Sequence, residues 1–346
     1  MAHETKHAHR KDEHLALAEH FYNAVQRNDF DQLHLIFRNL PELGVQDVSL
    51  ETTIFDQKIA APIYINAMTG GSSRTGAINE KLAQIAADLR IPMAVGSESI
   101  ILSEPESLET FSVVRKVNPT GVIFANIGAG KDLAAAKQVV AAVAANALQV
   151  HLNVLQEIVM PEGDRDFHWA EMIREYQHLD VPIIAKEVGF GMSEMTISQL
   201  EQLGIRYIDL GGAGGTNFVQ IENARRQNHD MAYLAEQGLS TVKSLLESQP
   251  FQRDQHLTFF ASGGVRQPLD IVKAWHLGAK YVGISRTILH LLLHHTVSET
   301  ETILTAWLEQ LRLLLVAFGV RTPAELPQVE HYFDQELYLF QQQRQS

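Results

Sequence analysis

Two short stretches have the residue types and placement to hold a phosphate. Ser262-Gly263-Gly264-Val265-Arg266 follows directly on the apolar run 258–261, and Ser285-Arg286 follows on the run 281–284. Glycines let a backbone approach an anion closely, and each stretch carries an arginine able to add a charge-assisted donor. A glycine pair after a strand is by itself as often a plain turn. Two such loops in succession, each with an arginine, favour a phosphate site.

Polar side chains end several other apolar runs. Asn66-Ala67-Met68-Thr69-Gly70-Gly71-Ser72 suits a backbone that passes close to a flat ligand, and Ser97, Asn126, Lys186 and Thr216 suit a heteroatom-rich ring system. Lys186, inside the run 183–188, must point into an open mouth or be buried at high cost. Pairing with Glu187 is disfavoured, because strand neighbours face opposite ways. His151 and Asn153 lie two apart and so project to one side, with Gln156 and Glu157 just beyond. A lone strand histidine is usually a core residue, but four polar groups at one strand end are hard to explain as packing. Glu157 there suits a general base or a ligand for a hard cation such as Mg2+. Arg10-Lys11-Asp12-Glu13-His14 reads either as a solvated charged face or as a flap that orders over an anionic substrate.

These groups need a scaffold that collects strand ends. From residue 60 onward, short apolar runs alternate with helical patterns. The strands are expected at 61–66, 93–95, 122–126, 148–153, 183–187, 207–210, 258–261 and 281–284. The helices are expected at 76–89, 105–117, 133–145, 168–178, 193–203, 231–247 and 268–277. Continuous apolar strands suit a parallel sheet buried on both faces, and eight strand–helix units suit a (β/α)8 barrel. The glycine-rich stretch 211–229 reads as a long functional loop. Residues 12–40 read as helical, with Leu15, Leu17, Phe21, Ala24 and Val25 as the apolar positions, and 297–318 as a long amphipathic helix ending at Gly319. The expected organisation is a single unit over 1–346, with an N-terminal segment and flap (1–59), the barrel (60–295) and C-terminal helices (296–346).

Composition narrows the function. The 346 residues carry 28 Lys and Arg against 41 Asp and Glu, a net charge of −13, which opposes nucleic-acid binding but not a small phosphorylated ligand. With no cysteine, disulfides, thiolate metal sites and cysteine nucleophiles are excluded. The polar N-terminus has no signal-like apolar core, and the apolar runs 288–293 and 311–318 are too short to span a bilayer, so a soluble cytoplasmic protein is expected, with no membrane partner.

Taken together, Arg10-Lys11-Asp12-Glu13-His14, Met68-Thr69-Gly70-Gly71, Gly96-Ser97, Ala125-Asn126-Ile127-Gly128, His151-x-Asn153-x-x-Gln156-Glu157, Lys186-Glu187, Gly211-Gly212-x-Gly214-Gly215-Thr216 and Ser262-Gly263-Gly264-x-Arg266 resemble the type 2, FMN-dependent isopentenyl-diphosphate isomerases. The resemblance covers nearly the whole chain. It implies reversible conversion of isopentenyl diphosphate into dimethylallyl diphosphate, with FMN kept reduced by NADPH and moving protons without net redox change. It further implies that Arg10, Lys11 and Ser97 contact the diphosphate, that His151, Asn153 and Gln156 position and act on the substrate, and that Glu157 holds Mg2+. Ala67, Met68, Thr69, Ser97, Asn126, Lys186 and Thr216 would contact FMN, with Gly263, Gly264, Arg266, Ser285 and Arg286 around its phosphate. A homo-oligomer, tetramer or octamer, is expected. One departure stands out: the family often has an Arg two residues after the serine of the second loop, where this chain has Ser99.

The nearest alternative is an FMN-dependent 2-hydroxy acid oxidase, which should place a catalytic His a few residues before an Arg ahead of the seventh strand. Here His256 follows Arg253 instead. A binding module or inactive barrel would leave the polar strand ends unexplained.

Overall fold

A computed structural model describes residues 6–23, 26–253 and 256–344. Eight parallel strands form a closed barrel: β1 Ile63–Ile65, β2 Met93–Ala94, β3 Ile123–Gly128, β4 Ala147–Leu152, β5 Ile183–Glu187, β6 Tyr207–Asp209, β7 Thr258–Ser262 and β8 Tyr281–Ile284. Each pairs with its neighbours in sequence, and β8 closes on β1 with Val282 opposite Ile63. The expected (β/α)8 fold is what the chain adopts.

Period-two alternation sorts each strand into an outward apolar face and an inward face. Ile123, Ala125 and Ile127 of β3 pack outward with the helices, as do Leu148 and Val150 of β4. Inward, Tyr64, Phe124, Ala147, Ile184 and Phe260 fill the lower barrel. One step further along come Asn126 of β3, Gln149 of β4, Lys186 of β5, Asp209 of β6 and Ser262 of β7, all buried. The barrel is therefore packed below and polar above.

A hairpin of Thr52–Ile54 and Gln57–Ile59 plugs the lower end. Its turn residues Phe55 and Asp56 both take positive φ, at 47° and 62°, as a two-residue turn of this hand requires. Ile54 and Ile59 are buried against the lower layer, and the Tyr281 hydroxyl donates to the Thr53 carbonyl at 2.5 Å. With one end plugged, the open end is the C-terminal one, where barrel sites form.

Three expectations about elements are corrected. The stretch 12–40 is not one helix. A helix runs Lys6–His20, and beyond it Asn28 caps a short 3-10 turn, Asp29–Gln32, leading into the strand Leu33–Leu35; Ala24 and Val25 lie outside the described residues. The stretch 211–229 contains a helix, Phe218–Arg225, capped by Asn217. The stretch 231–247 divides into the 3-10 turn Ala232–Leu234 and the helix Thr241–Ser248, capped by Ser240.

The stretch Val297–Gln328, which begins with the helix Val297–Phe318, is long and apolar enough by length and composition to cross a membrane. Its apolar face is occupied in the fold: Leu304, Leu311, Leu315 and Phe318 are buried in the main core. Leu33–Leu35 pairs antiparallel with His331–Phe333, so the two ends of the chain are joined on the outside of the barrel.

Candidate active site

A cavity of about 760 Å³ opens at the C-terminal ends of the strands, within the usual range for a cofactor or ligand site. Its lining includes Ala67, Met68, Thr69, Ser97, Asn126, His151, Asn153, Gln156, Glu157, Lys186, Thr216, Gly263, Gly264, Arg266, Ser285 and Arg286, together with Arg10 and Lys11 from the N-terminal helix. Every residue singled out in the sequence for the site therefore meets in one place.

One wall suits an anion. Gly263 and Gly264 take φ of 95° and 75°, and a Cβ on Gly263 would lie 1.9 Å from the Gly212 carbonyl oxygen, so no side chain fits there. Beside them the helix Arg286–His294 begins at Ser285 with no side-chain cap, which leaves its first N–H groups without intrahelical partners. The Arg286 guanidinium lies over the Tyr22 ring, 5.3 Å from its centroid.

Arg266 departs from expectation. Rather than offering its guanidinium to a phosphate, it donates to Asp31 at 2.7 and 2.9 Å, to Asp270 at 3.0 and 3.1 Å, and to the Gln26 carbonyl at 3.0 Å. These bonds tie the glycine loop to the turn Asp29–Gln32, a role that needs tertiary contacts invisible in the local sequence. Asn28 adds a bond from its amide to the Gly264 carbonyl at 2.8 Å.

The central floor is a chain of amides with one possible direction. The Ala67 N–H donates to Asn66 Oδ1 at 2.8 Å, which orients that amide, and Asn66 Nδ2 donates to buried Asp209. Gln149 Nε2 must then donate to Asn66 Oδ1, at 3.3 Å, and Gln149 Oε1 must accept from Asn126 Nδ2, at 3.1 Å. Asn126 Oδ1 is left to accept from His151 Nδ1–H at 2.8 Å. His151 therefore carries its proton on Nδ1 and presents a bare Nε2 on the side of Gly128, where the missing side chain leaves room. Burial, then Lys186, Lys11 and Lys131, push its pKa down to about 3, so the ring is neutral. Asp209 also accepts from Tyr64 at 2.6 Å and Ser262 at 2.7 Å, which locks the start of the chain.

Lys186 is buried at the mouth and donates to the Glu187 backbone carbonyl at 2.7 Å. The Glu187 carboxylate turns instead to the N–H groups of Gly189 and Phe190, so the two side chains do not pair. Burial raises the Glu187 pKa to about 7 against the pull of those donors.

At the end of β4, Asn153 Nδ2 donates to Gln156 at 3.3 Å and to Glu157 Oε1 at 2.8 Å, while Glu157 Oε2 accepts from the Asp164 N–H at 2.7 Å. Gln156 Nε2 donates to Glu222 at 3.0 Å. Sequence reasoning missed Glu222, whose side chain is fully buried. It also accepts from Arg225 at 2.6 Å and lies 3.0 Å from His14. Burial alone would raise its pKa, but the bonds from His14, Gln156 and Arg225 prevail and bring it to about 2. Its signal was faint: a glutamate after Val219 and Ile221 on a helix hidden in a glycine-rich loop.

The helix Lys6–His20 closes the mouth. Lys11 Nζ donates to the Ser97 carbonyl at 3.2 Å, and burial, then neighbouring Arg10, lower its pKa to about 8. Arg10 lies 3.5 Å from Glu162, which shares Arg225 with Glu13. Lys131, also unanticipated, lines the same cavity and lies near enough to His151 to help lower its pKa. His256, the residue a 2-hydroxy acid oxidase reading would need, precedes β7 and pairs with Glu201 at the closed end. That alternative loses its base.

Comparison with known proteins agrees. A family model for FMN-dependent dehydrogenases matches residues 110–332. An isopentenyl-diphosphate delta-isomerase of Latilactobacillus sakei is 49% identical over 337 residues, covering 95% of this chain and 96% of the relative. The chain belongs to the FMN-dependent isopentenyl-diphosphate delta-isomerase family. A second isomerase of this family, from Lacticaseibacillus paracasei, is 45% identical and covers 99% of this chain and 98% of the relative. A flavocytochrome b2 structure matches with a TM-score of 0.66 at 17% identity, over 90% of this chain and 80% of that one, a likeness of fold alone.

Proposed function

We propose that this chain interconverts isopentenyl diphosphate and dimethylallyl diphosphate with reduced FMN and Mg2+. The observation that carries the reading is one cavity with two anion-seeking ends. The first end is the glycine loop and the uncapped helix at Ser285; the second is the cation group Arg10, Lys11 and Lys131. A flavin phosphate fits the first end, because only a backbone without side chains reaches it and Arg286 stands beside it. The diphosphate fits the second.

When bound in its reduced form, FMN supplies the proton-transfer chemistry, with NADPH as the reductant. Ala67, Met68, Thr69, Ser97, Asn126, Lys186 and Thr216 would hold its ring, Gly263, Gly264, Ser285 and Arg286 its phosphate, and Arg266 braces the loop. Arg10, Lys11 and Ser97 would bind the diphosphate. His151 would face the substrate with its bare Nε2, and Asn153 and Gln156, each held by a neighbour, would help position the diphosphate beside Glu157. Glu157 would hold Mg2+, since one carboxylate plus phosphate oxygens is a donor set this ion accepts.

Turnover of isopentenyl diphosphate is expected only with FMN, a reductant and Mg2+ together. Full activity in air without reductant, or oxidation of a 2-hydroxy acid at comparable rate, would overturn the proposal. Glu157→Gln should raise the Mg2+ requirement while flavin stays bound, and an unchanged Mg2+ titration would remove Glu157 from that role.

A further inference from the structure

Behind the mouth, on the far side of Tyr22, two histidines converge on one carboxylate oxygen. His290 Nδ1 and His294 Nε2 each lie 2.8 Å from Glu19 Oε1. The histidines are four apart on the helix Arg286–His294, hence on one face, and Glu19 comes from the helix Lys6–His20. Their ring centroids are 4.4 Å apart, and Tyr22 stacks on His290 at 3.8 Å, which holds that ring in place. The three ligand atoms all lie within 4.8 Å of one another.

We propose that Glu19, His290 and His294 form a site for a divalent transition ion of the zinc class, which clasps the N-terminal helix to the barrel. Two imidazole nitrogens and one carboxylate oxygen on a helix face are a borderline-soft donor set. It favours Zn2+, Co2+ or Ni2+ over Mg2+, and three protein ligands leave a fourth position for water. His294 is half exposed, so an ion can enter from solvent. Binding shifts each ring's proton, through solvent, from the nitrogen facing Glu19 to its other ring nitrogen, and replaces two hydrogen bonds with three coordinate bonds. The site is separate from Glu157 and from the flavin cavity, so it does not depend on the proposed reaction.

The consequence is mechanical. The helix that carries Arg10 and Lys11 over the mouth is the one that carries Glu19, and the helix that starts at Arg286 carries the two histidines. A shared ion joins lid to wall.

The test uses flavin-loaded protein stripped with chelator and then dialysed against Zn2+. Wild type is expected to retain one equivalent per chain that His294→Gln and Glu19→Gln both lose, with flavin absorbance unchanged in all three as proof of folding. Hydrogen exchange of residues 10–20 should slow on adding Zn2+ to wild type and stay unaltered in His294→Gln. Equal retention by wild type and His294→Gln would overturn the site and point to the N-terminal His3, His7 and His9 instead. Loss of retention in the variants without any slowing of exchange in wild type would overturn the clasp.

Discussion

At the scale of single residues, the state of His151 follows from its neighbours. The amide chain from Asp209 through Asn66, Gln149 and Asn126 leaves its proton on Nδ1, and burial among lysines keeps the ring neutral with a pKa of about 3. Wild type should then show no acid limb from His151 in kcat/KM above roughly pH 5. Asn126→Asp puts a carboxylate at the Nδ1 end, which favours the charged ring. Its profile should gain an acid limb within the measured range, falling roughly tenfold per pH unit below the new pKa. A pH profile that superimposes on wild type would contradict the tautomer argument. The sign for stability is the same at His151 and Glu222: both bind fewer protons folded than unfolded. Their contribution is lost as pH falls, through the range below the ordinary 6.5 for His151 and from 4.5 towards about 2 for Glu222.

At the scale of elements, the decisive contact is between the helices Lys6–His20 and Phe218–Arg225. Arg225 joins Glu13 and Glu162 to the buried Glu222, and Glu222 in turn orients Gln156. Arg225→Ala takes from a buried carboxylate the guanidinium that pairs with it at 2.6 Å, a loss of about 3 kcal/mol in stability. The same change frees the N-terminal helix, so KM for the diphosphate should rise while flavin content stays constant. Thermal melting and a KM against kcat comparison check both halves. A fall in bound flavin with KM unchanged would mean that the helix serves the other end of the cavity.

At the scale of the whole molecule, the barrel is closed, and association must use what lies outside it. The segment beside the strand Leu33–Leu35 exposes Ile36, Phe37 and Leu40 at 45%, 62% and 80% of their surface, next to exposed Tyr332 on the paired strand. Contiguous apolar exposure of this kind marks an association surface. We propose that this face is the contact through which the chain self-associates. Phe37→Glu should shift the mass measured by light scattering toward the monomer with little change in flavin binding. An unchanged mass would place the contact elsewhere.

Much of this molecule was set by local sequence. The eight strands announce themselves as short apolar runs, because a strand buried on both faces must be apolar outward and below, and the polar residues at their ends mark the mouth. The glycines at 263 and 264 were legible for the same reason: only they take that backbone. What tertiary structure alone decided is which polar groups are spoken for. Arg266 looks like a phosphate donor until Asp31 and Asp270, one of them 235 residues away, take up its guanidinium. Gln149 and Asp209 sit inside strands as apparent exceptions until the barrel brings them within hydrogen-bond reach of Asn66. Glu222 and Glu19 gain their meaning from helices far away in sequence. Hydrogen bonds are directional and short-ranged, so their partners are chosen by the fold, whereas apolar periodicity is a property the chain carries before it folds.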